Sequence, residues 1–284
     1  MIKSDKIIFH GLFDNKLIFL LFFNQYLLSK CHWAIWGGDL YSKVSRSAKF
    51  YLLKDFVKKR VIKKIKYLIT YVNGDVQFAR EWYGATGTQQ SCIGYLSNVY
   101  KEQSLSSDEA ARKSDVVTIQ VGNSADLSNA HLEVFNILKS LEKQDFTIRC
   151  PLSYGSEEYA DEVETVGYSI FKDRFYPSRK FLPLNEYQLQ QQQIDIGVFN
   201  HNRQQGMGNI ISLIGMGKKV YLRKDTTHWF FFCEIDVKVF DITELNLEPI
   251  EETVAKNNIE NIKSYFSVNN LIKQWDDIFS SACR

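Results

Sequence analysis

The sequence predicts an α/β protein in which the strands of a parallel sheet alternate with helices on both faces. Short β-branched apolar runs recur along the chain, and stretches with helical spacing of apolar residues separate them. With 284 residues, 45% of them hydrophobic and 24% charged, the chain suits two medium domains or one large one. This composition excludes a disordered or fibrous protein.

The first part of the chain opens with a strand, a helix and a second strand. The strand at 6–10 ends at Gly11, the helix covers 15–28, and the strand at 32–36 ends at two glycines. A basic amphipathic helix is predicted at 54–69, because apolar residues recur there every three or four positions. Its apolar residues are Val57, Val61, Ile65 and Leu68, and its lysines are Lys58, Lys59, Lys63, Lys64 and Lys66. A further strand is predicted near Tyr71.

A polar stretch at 100–114 has no apolar periodicity and is predicted to be a linker, which gives domains of 1–112 and 113–284. The second domain alternates regularly between strands and helices. Its strands are predicted at 116–121, 146–150, 194–199, 219–222 and 237–240. Its helices are predicted at 128–143, 157–166, 184–193, 209–216 and 251–282, with Ser128 as an N-cap and Gly167 as a stop.

Charge is distributed unevenly along the chain. The first hundred residues carry 15 Lys and Arg against 6 Asp and Glu, whereas the remainder carries 20 against 27. The basic first part is therefore expected to face an anionic partner, either nucleic acid or an acidic membrane surface.

The chain shows no predicted membrane span. Its longest clean apolar run, at 17–23, is far shorter than the roughly 20 residues that a spanning helix needs. The N-terminus lacks the shape of a signal peptide. Five scattered cysteines without a CxxC pair disfavour a zinc ribbon and suit a reduced, cytosolic protein.

Three loops of the second domain follow predicted strands and are candidates for ligand binding, because ligands of open parallel sheets bind at the carboxyl ends of strands. Glycines before a helix, with a nearby arginine, suit a diphosphate. The candidates are Gly122, Asn123 and Ser124 in the first loop, Glu158 in the second, and Arg203, Gln204, Gln205, Gly206, Gly208 and Asn209 in the third. The alternatives are a plain turn and N-cap, a first-turn acid that stabilises the helix dipole, and a flexible glycine turn.

The segment HWAIWGGDLY, residues 32–41, is the densest candidate for chemistry in the first domain. Asp39 follows a strand and two glycines, so its carboxylate is a candidate general base on a sugar hydroxyl. The alternative is that Asp39 caps the next helix. His10 and His32 are the next candidates for the base.

Several motifs occur in one order along nearly the whole chain. They are FHG at 9–11, HWAIWGGDLY at 32–41, VGNSADLSNAH at 121–131, PLSYG with EEY at 151–159, and NRQQGMGN at 202–209. In this combination the chain resembles the bacterial 4-alpha-L-fucosyltransferase family. Members of that family carry further first-domain sequence before FHG, so the first domain is expected to be shortened.

The resemblance implies a glycosyltransferase of the GT-B architecture, with two Rossmann-like domains and a cleft between them. It implies a dTDP-linked 4-acetamido-4,6-dideoxyhexose as donor and a polyprenyl-diphosphate-linked saccharide as acceptor, in the synthesis of enterobacterial common antigen or O-antigen. It also implies a peripheral position on the cytoplasmic face of the inner membrane, with no metal and no cofactor. Two alternatives stay open at this point: an inactive saccharide-binding remnant, and a nucleic-acid-binding module that uses the basic helix.

Overall fold

The computed structural model describes residues 3–41, 49–102, 116–141 and 144–281, which form two compact units. The first unit contains the described part of Met1–Val99, Arg203–Gln205 and Val268–Arg284. The second contains the described part of Tyr100–Asn202 and Gly206–Ser267. Each unit has its own parallel sheet, which confirms the predicted α/β class.

The first unit is built on a four-stranded sheet of order β1-β2-β3-β4. Its elements are β1 (Ile7–His10), α1 (Asn15–Phe23), β2 (Cys31–Ala34), α2 (Lys49–Lys64), β3 (Tyr67–Ile69), α3 (Asn73–Tyr83) and β4 (Thr88–Gln90), with 3₁₀ turns at Gln25–Lys30 and Leu96–Asn98. Strands β1 and β2 pair in parallel, with Phe9 opposite Trp33. Trp33, Leu21 of α1 and Ile62 of α2 are fully buried in one hydrophobic core.

The second unit is built on a six-stranded sheet of order β10-β9-β8-β5-β6-β7. Its elements are β5 (Val117–Val121), α4 (His131–Lys139), β6 (Phe146–Pro151), α5 (Glu157–Phe171), β7 (Phe175–Ser178), α6 (Leu184–Gln192), β8 (Ile196–Phe199), α7 (Met207–Gly215), β9 (Lys219–Leu222), α8 (Thr227–Glu234), β10 (Phe240–Asp241) and α9 (Glu252–Tyr265). The chain runs outward from β5 to β7 and then crosses back to β8, which also pairs with β5. This is the strand order of the Rossmann fold, and its switch point lies between β5 and β8.

The last described helix, α10 (Val268–Ser280), belongs to the first unit. The Lys6 ammonium lies 2.6 Å from the carbonyl oxygens of Ile278 and Phe279, where a cation stabilises the negative end of the helix. The two units differ from the predicted domains in three ways. One is that Arg203–Gln205 group with the first unit. The division falls at Val99–Tyr100, and the C-terminal helix returns to the first unit. The helical pattern of the tail cannot show which sheet the helix packs against, and most of the predicted linker, 103–114, lies outside the described residues.

Several helix ends differ from their predicted positions. Helix α2 ends at Lys64, and Tyr67–Ile69 forms β3. These three residues pair with β2 and β4, so sheet formation prevails over their helical spacing. Helix α5 continues through Gly167, where the Phe175 ring lies 2.5 Å from the position that a Cβ would take. Helix α4 begins at His131, so Ser128 is not its N-cap.

Candidate functional site

The loop after β5 turns at Gly122, which has a φ of 67°. A Cβ at this position would lie 2.6 Å from His131 Nε2 and 2.7 Å from Asn129 Oδ1. Both the backbone conformation and the lack of space therefore require glycine here. His131 is fully buried, and burial lowers its pKa to about 4, so the imidazole behind Gly122 stays neutral at physiological pH.

A buried polar network holds this loop. Asn129 Oδ1 accepts a hydrogen bond from the backbone N–H of Asn123 at 2.9 Å and lies 2.8 Å from His201 Nε2. Asn129 Nδ2 lies 3.3 Å from Ser124 Oγ, and both residues are fully buried. The Ser124 hydroxyl therefore supports the loop from within, and ligand contact by Ser124 stays a prediction. Most residues of this network lie in the motif GNSxDxSNxH at 122–131, in which x is any residue.

The loop after β8 leads directly into α7. Gly206, with a φ of 64°, is the N-cap of this nine-residue helix and supplies no capping side chain. The helix begins two residues earlier than predicted, so Gly208 and Asn209 lie in its first turn. Uncapped N–H groups at a helix N-terminus attract anions.

The two loops meet at Asn123 and Gly206. A Cβ on Gly206 would lie 3.0 Å from Asn123 Oδ1, an oxygen that is buried and has no hydrogen-bond partner among the described residues. The side-chain Nδ2 of Asn123 donates to the Tyr154 hydroxyl oxygen at 2.5 Å. Asn123 is therefore held beside the α7 N-terminus with one acceptor still available.

A cavity of about 200 Å³ lies at the carboxyl ends of β6 and β7. Aromatic and aliphatic side chains supply most of its wall, and amides, serine hydroxyls and one lysine supply the rest. The residues that the argument uses are Asn123, Tyr154, Phe181, Tyr187, Gln190 and Asn209. Asn209 Oδ1 accepts hydrogen bonds from the Tyr187 hydroxyl at 2.6 Å and from Gln191 Nε2 at 2.9 Å. Asn123 and Asn209 thus belong both to the cavity and to the glycine loops.

Arg179, between β7 and α6, is held by ion pairs to helix α5. Arg179 forms ion pairs with Glu157, Asp161 and Glu164 of α5 at 2.9, 2.5 and 2.7 Å. These three acids lie on one face of the helix because their spacing is four and three residues. Arg179 lies between Ser178 and Lys180, which both line the cavity.

Glu158 lies apart from the cavity lining. It is exposed in the first turn of α5, where Ser156 Oγ donates to its carboxylate at 2.7 Å. This hydrogen bond lowers the pKa of Glu158. Its position agrees with the alternative of an acid that stabilises the helix dipole, and ligand binding by Glu158 is not supported.

Arg203, Gln204 and Gln205 group with the first unit. The Gln204 carbonyl oxygen lies 2.5 Å from the position that a Cβ on Gly37 would take, and Arg203 Nη1 lies 3.6 Å from the equivalent position on Gly38. The segment therefore packs on the glycine turn after β2. Diphosphate binding by Arg203 stays a prediction.

Asp39 is fully buried, and four hydrogen bonds engage its carboxylate. Oδ2 accepts from the Leu12 amide at 2.8 Å and from Trp33 Nε1 at 2.6 Å. Oδ1 accepts from the amides of Trp36 and Leu40, each at 3.0 Å. A carboxylate with no exposed surface and with these four donors is a structural acceptor in this conformation, and the general-base role of Asp39 stays a prediction.

The two histidine candidates occupy different environments. His32 is fully buried, stacks on Tyr67 at 4.3 Å and lies 2.8 Å from Gln90 Oε1. Burial lowers its pKa, and its position in the sheet is structural. His10 is exposed at the carboxyl end of β1, and its Nδ1 lies 2.6 Å from the Tyr95 hydroxyl. Of the three catalytic candidates, His10 alone is placed where a substrate can reach it.

Sequence reasoning missed most of the cavity lining. Tyr154 stood within a quoted motif, but Phe181, Tyr187 and Gln190 gave no local signal. They enter the site because β7, a four-residue strand that contains a proline, ends beside β6. Strand β7 buries only Phe175 and contains a proline, so it lacks the apolar run that marks the other strands of this sheet.

The fold is similar to that of several solved structures. An Anabaena protein, HepE, solved with UDP-glucose, is 13% identical with a TM-score of 0.71, covering 98% of this chain and 79% of the other. Sucrose-phosphate synthase from Thermosynechococcus elongatus is 13% identical with a TM-score of 0.67, covering 97% and 73%. WaaG, a glycosyltransferase of lipopolysaccharide biosynthesis, is 12% identical with a TM-score of 0.61, covering 98% and 79%.

Two Rossmann-like units, the second with a glycine-led helix after β8 at its switch point, define the GT-B fold that this chain shares with these structures. The model of one family matches residues 2–284. The chain belongs to that family, the 4-alpha-L-fucosyltransferases of glycosyl transferase group 56. The resemblance noted from its motifs is thereby confirmed.

Proposed function

We propose that this glycosyltransferase moves a 4-acetamido-4,6-dideoxyhexose, of the N-acetylfucosamine type, from a dTDP-sugar to a polyprenyl-diphosphate-linked saccharide. The pathway we propose is the synthesis of enterobacterial common antigen or of an O-antigen. The observation that carries the donor part is the junction of the cavity with the α7 N-terminus at Asn123 and Asn209. It offers one compartment for the nucleobase of the donor and a neighbouring one for its phosphates.

The size and lining of the cavity suit a pyrimidine. Its volume of about 200 Å³ is below the about 300–1,000 Å³ of pockets that hold a whole drug-sized ligand. One planar ring fits between aromatic side chains, and the amides of Asn123 and Gln190 are available to its polar edge. The diphosphate then extends to the uncapped N-terminus of α7, where the helix dipole favours negative charge.

Truncation of Phe181 tests the base compartment. Phe181 lines the cavity but is 83% exposed, so Phe181→Ala removes a stacking surface at little cost in stability. We expect dTDP affinity to fall roughly 5- to 100-fold, since stacking of a base on an aromatic ring contributes about 1–3 kcal/mol. Thermal shift with dTDP, UDP and GDP measures this, because a bound ligand stabilises the folded state by mass action.

Phe230→Ala is the matched control, since Phe230 is also an exposed phenylalanine of the second unit and does not line the cavity. It should bind dTDP like the wild type. Equal dTDP affinity of Phe181→Ala and wild type, or stabilisation by GDP alone, contradicts the pyrimidine site. Transfer from dTDP-sugars to a polyprenyl-diphosphate saccharide then tests the full reaction.

We also propose that the first unit binds an anionic membrane surface, peripheral on the cytoplasmic side of the bacterial inner membrane. No helix within the described ranges is long and apolar enough to span a bilayer. An aromatic–basic face supports the proposal. It consists of the exposed residues Leu20, Phe23, Tyr26, Leu53 and Phe56 with the cations Lys59, Arg60, Lys63 and Lys64.

Side-chain contacts join the two helices of this face. The rings of Phe22 and Phe56 lie 6.3 Å apart, and Lys64 Nζ donates to Gln25 Oε1 at 2.7 Å. Apolar and aromatic groups beside cations suit insertion at an anionic lipid interface. Lys58 does not belong to this face. It is buried, donates to the Asp39 carbonyl oxygen at 2.6 Å and has its pKa lowered by burial.

Charge reversal on the aromatic–basic face should weaken membrane binding. We expect Lys59→Glu, Lys63→Glu and Lys64→Glu together to reduce binding to phosphatidylglycerol vesicles by at least roughly a hundredfold, at about 1 kcal/mol per cation. Vesicle sedimentation measures the effect. Lys101→Glu, Lys139→Glu and Lys256→Glu, exposed lysines of the second unit, make the same change in net charge and should bind normally. Wild-type protein that ignores these vesicles but binds duplex DNA would favour the nucleic-acid alternative.

A further inference from the structure

Three side chains of the first unit form a chain of hydrogen bonds at the carboxyl ends of its strands. Trp36 Nε1 donates to the Tyr95 hydroxyl oxygen at 2.6 Å, and the same oxygen lies 2.6 Å from His10 Nδ1. His10 and Trp36 are both exposed, Trp36 by 49%. The hydroxyl of Tyr95 is thus shared between an indole and an imidazole.

The chemistry of the three groups limits which of them donate and which accept in these hydrogen bonds. An indole N–H can only donate, so the Tyr95 oxygen is the acceptor of the Trp36 bond. The Tyr95 oxygen could also accept from a protonated His10 Nδ1, but donation of the hydroxyl hydrogen to Nδ1 is the arrangement that gives every hydrogen of the three groups an acceptor within the cluster or in solvent, and we take it as the premise to be tested. A neutral imidazole carries one proton, and with Nδ1 accepting, that proton lies on Nε2.

Packing keeps this arrangement in place. Burial raises the pKa of Tyr95, which therefore keeps its hydrogen at physiological pH. The Tyr95 ring packs against His10 at 5.4 Å and against Trp36 at 5.1 Å, measured between ring centroids. Trp275 of α10 lies 6.5 Å from the His10 ring and is itself anchored by a 2.9 Å bond from Nε1 to the Gly94 carbonyl oxygen.

We propose that Trp36 and Tyr95 hold His10 as a hydrogen-bond donor at Nε2, so that His10 binds an oxygen of the saccharide acceptor instead of taking its proton. The proposal rests on the proposed function for the existence of that acceptor. The donor compartments lie in the second unit, so the strand-end cluster of the first unit is available to the other substrate. The exposed Trp36 ring offers an apolar face on which the C–H face of a sugar can pack.

Two substitutions of His10 separate binding from proton transfer. The amide of glutamine places an N–H donor close to the position of Nε2 but is no base at neutral pH. If His10 donates, His10→Ala should lower kcat/KM for the acceptor roughly 2- to 10-fold, the loss of one neutral hydrogen bond, mainly through KM. His10→Gln should then lose less than His10→Ala. Equal losses of about 10²–10⁴-fold in kcat for both variants would mean that His10 is a general base and would overturn the proposal.

A second measurement does not depend on transfer. The ¹⁵N NMR spectrum of the neutral wild-type imidazole, assigned with His10→Ala, should show a protonated Nε2 and an unprotonated Nδ1. Tyr95→Phe removes the donor to Nδ1 and should shift that signal. A protonated Nδ1 in the wild type overturns the proposal. Absence of transfer by the wild-type protein contradicts the proposed function instead, whatever the tautomer.

Discussion

Replacement of Asp39 by asparagine is expected to lower the free energy of unfolding of the first unit by about 3–5 kcal/mol. The carboxylate accepts two hydrogen bonds at each oxygen. Asparagine keeps one acceptor oxygen and turns an NH₂ group toward two N–H donors. Those donors stay buried without a partner, and hydrogen bonds to a charged group are worth about 1.5–3 kcal/mol each. Urea unfolding followed by tryptophan fluorescence measures the loss, since Trp33 and Trp36 lie beside the carboxylate.

Asp14→Asn is the control for this substitution. Asp14 is an exposed N-cap of α1 that accepts one hydrogen bond, from the Lys16 amide at 2.8 Å. Asparagine caps a helix about as well as aspartate, so the control should unfold like the wild type. Should Asp39→Asn instead keep the wild-type stability and lose only transfer, Asp39 is the base after all and its burial is relieved during the reaction.

The example of Asp39 explains how far the sequence could be read at this site. A carboxylate after two glycines at a strand end has the same local pattern whether it is a base or a structural acceptor. The difference lies in its donors, which are Trp33 within β2, Trp36 and Leu40 after it, and Leu12 in the loop after β1. Such donors are brought together only by the fold, so spacing along the chain could not reveal them.

The fold itself was predictable where local signals are strong. Strands β5, β6, β8 and β9 are apolar runs that are buried in the sheet and bounded by turns. Strands β3, β4 and β7 were missed for different reasons. Strand β3 continues the helical spacing of α2, β4 is the polar sequence TQQ, and β7 contains a proline and buries only its first residue. Glycine positions carried more information than strand patterns did. Gly122 and Gly206 were singled out as ligand-binding candidates, and both have the positive φ that favours glycine, although their ligand role stays a prediction.

Replacement of Gly122 by alanine should destabilise the second unit by about 2–5 kcal/mol. Alanine at a φ of 67° costs about 1–2 kcal/mol in the left-handed region. Its Cβ would also lie 2.6 Å from His131 Nε2 and 2.7 Å from Asn129 Oδ1, and forcing a methyl group into a packed site costs about 1–3 kcal/mol more. Neither neighbour can move away easily, because Asn129 accepts a hydrogen bond from the backbone N–H of Asn123 and His131 is fully buried. Hydrogen exchange of the β5 and β8 peptides measures the loss of stability in this unit.

Gly94→Ala separates backbone strain from the steric clash. Gly94 has a φ of 85°, but nothing lies within 4 Å of the position that its Cβ would take. The free energy of unfolding of this variant should therefore fall only by the about 1–2 kcal/mol that alanine costs in the left-handed region. The loss is measured in the first unit, which contains Gly94. Because Asn123 follows Gly122 and lies 3.0 Å from the position of a Gly206 Cβ, displacement of the loop should also weaken dTDP binding, whereas Gly94→Ala should leave it intact. Equal losses of stability in the two variants would show that the buried network yields to a methyl group. Unchanged dTDP affinity in Gly122→Ala would place the phosphates away from this loop.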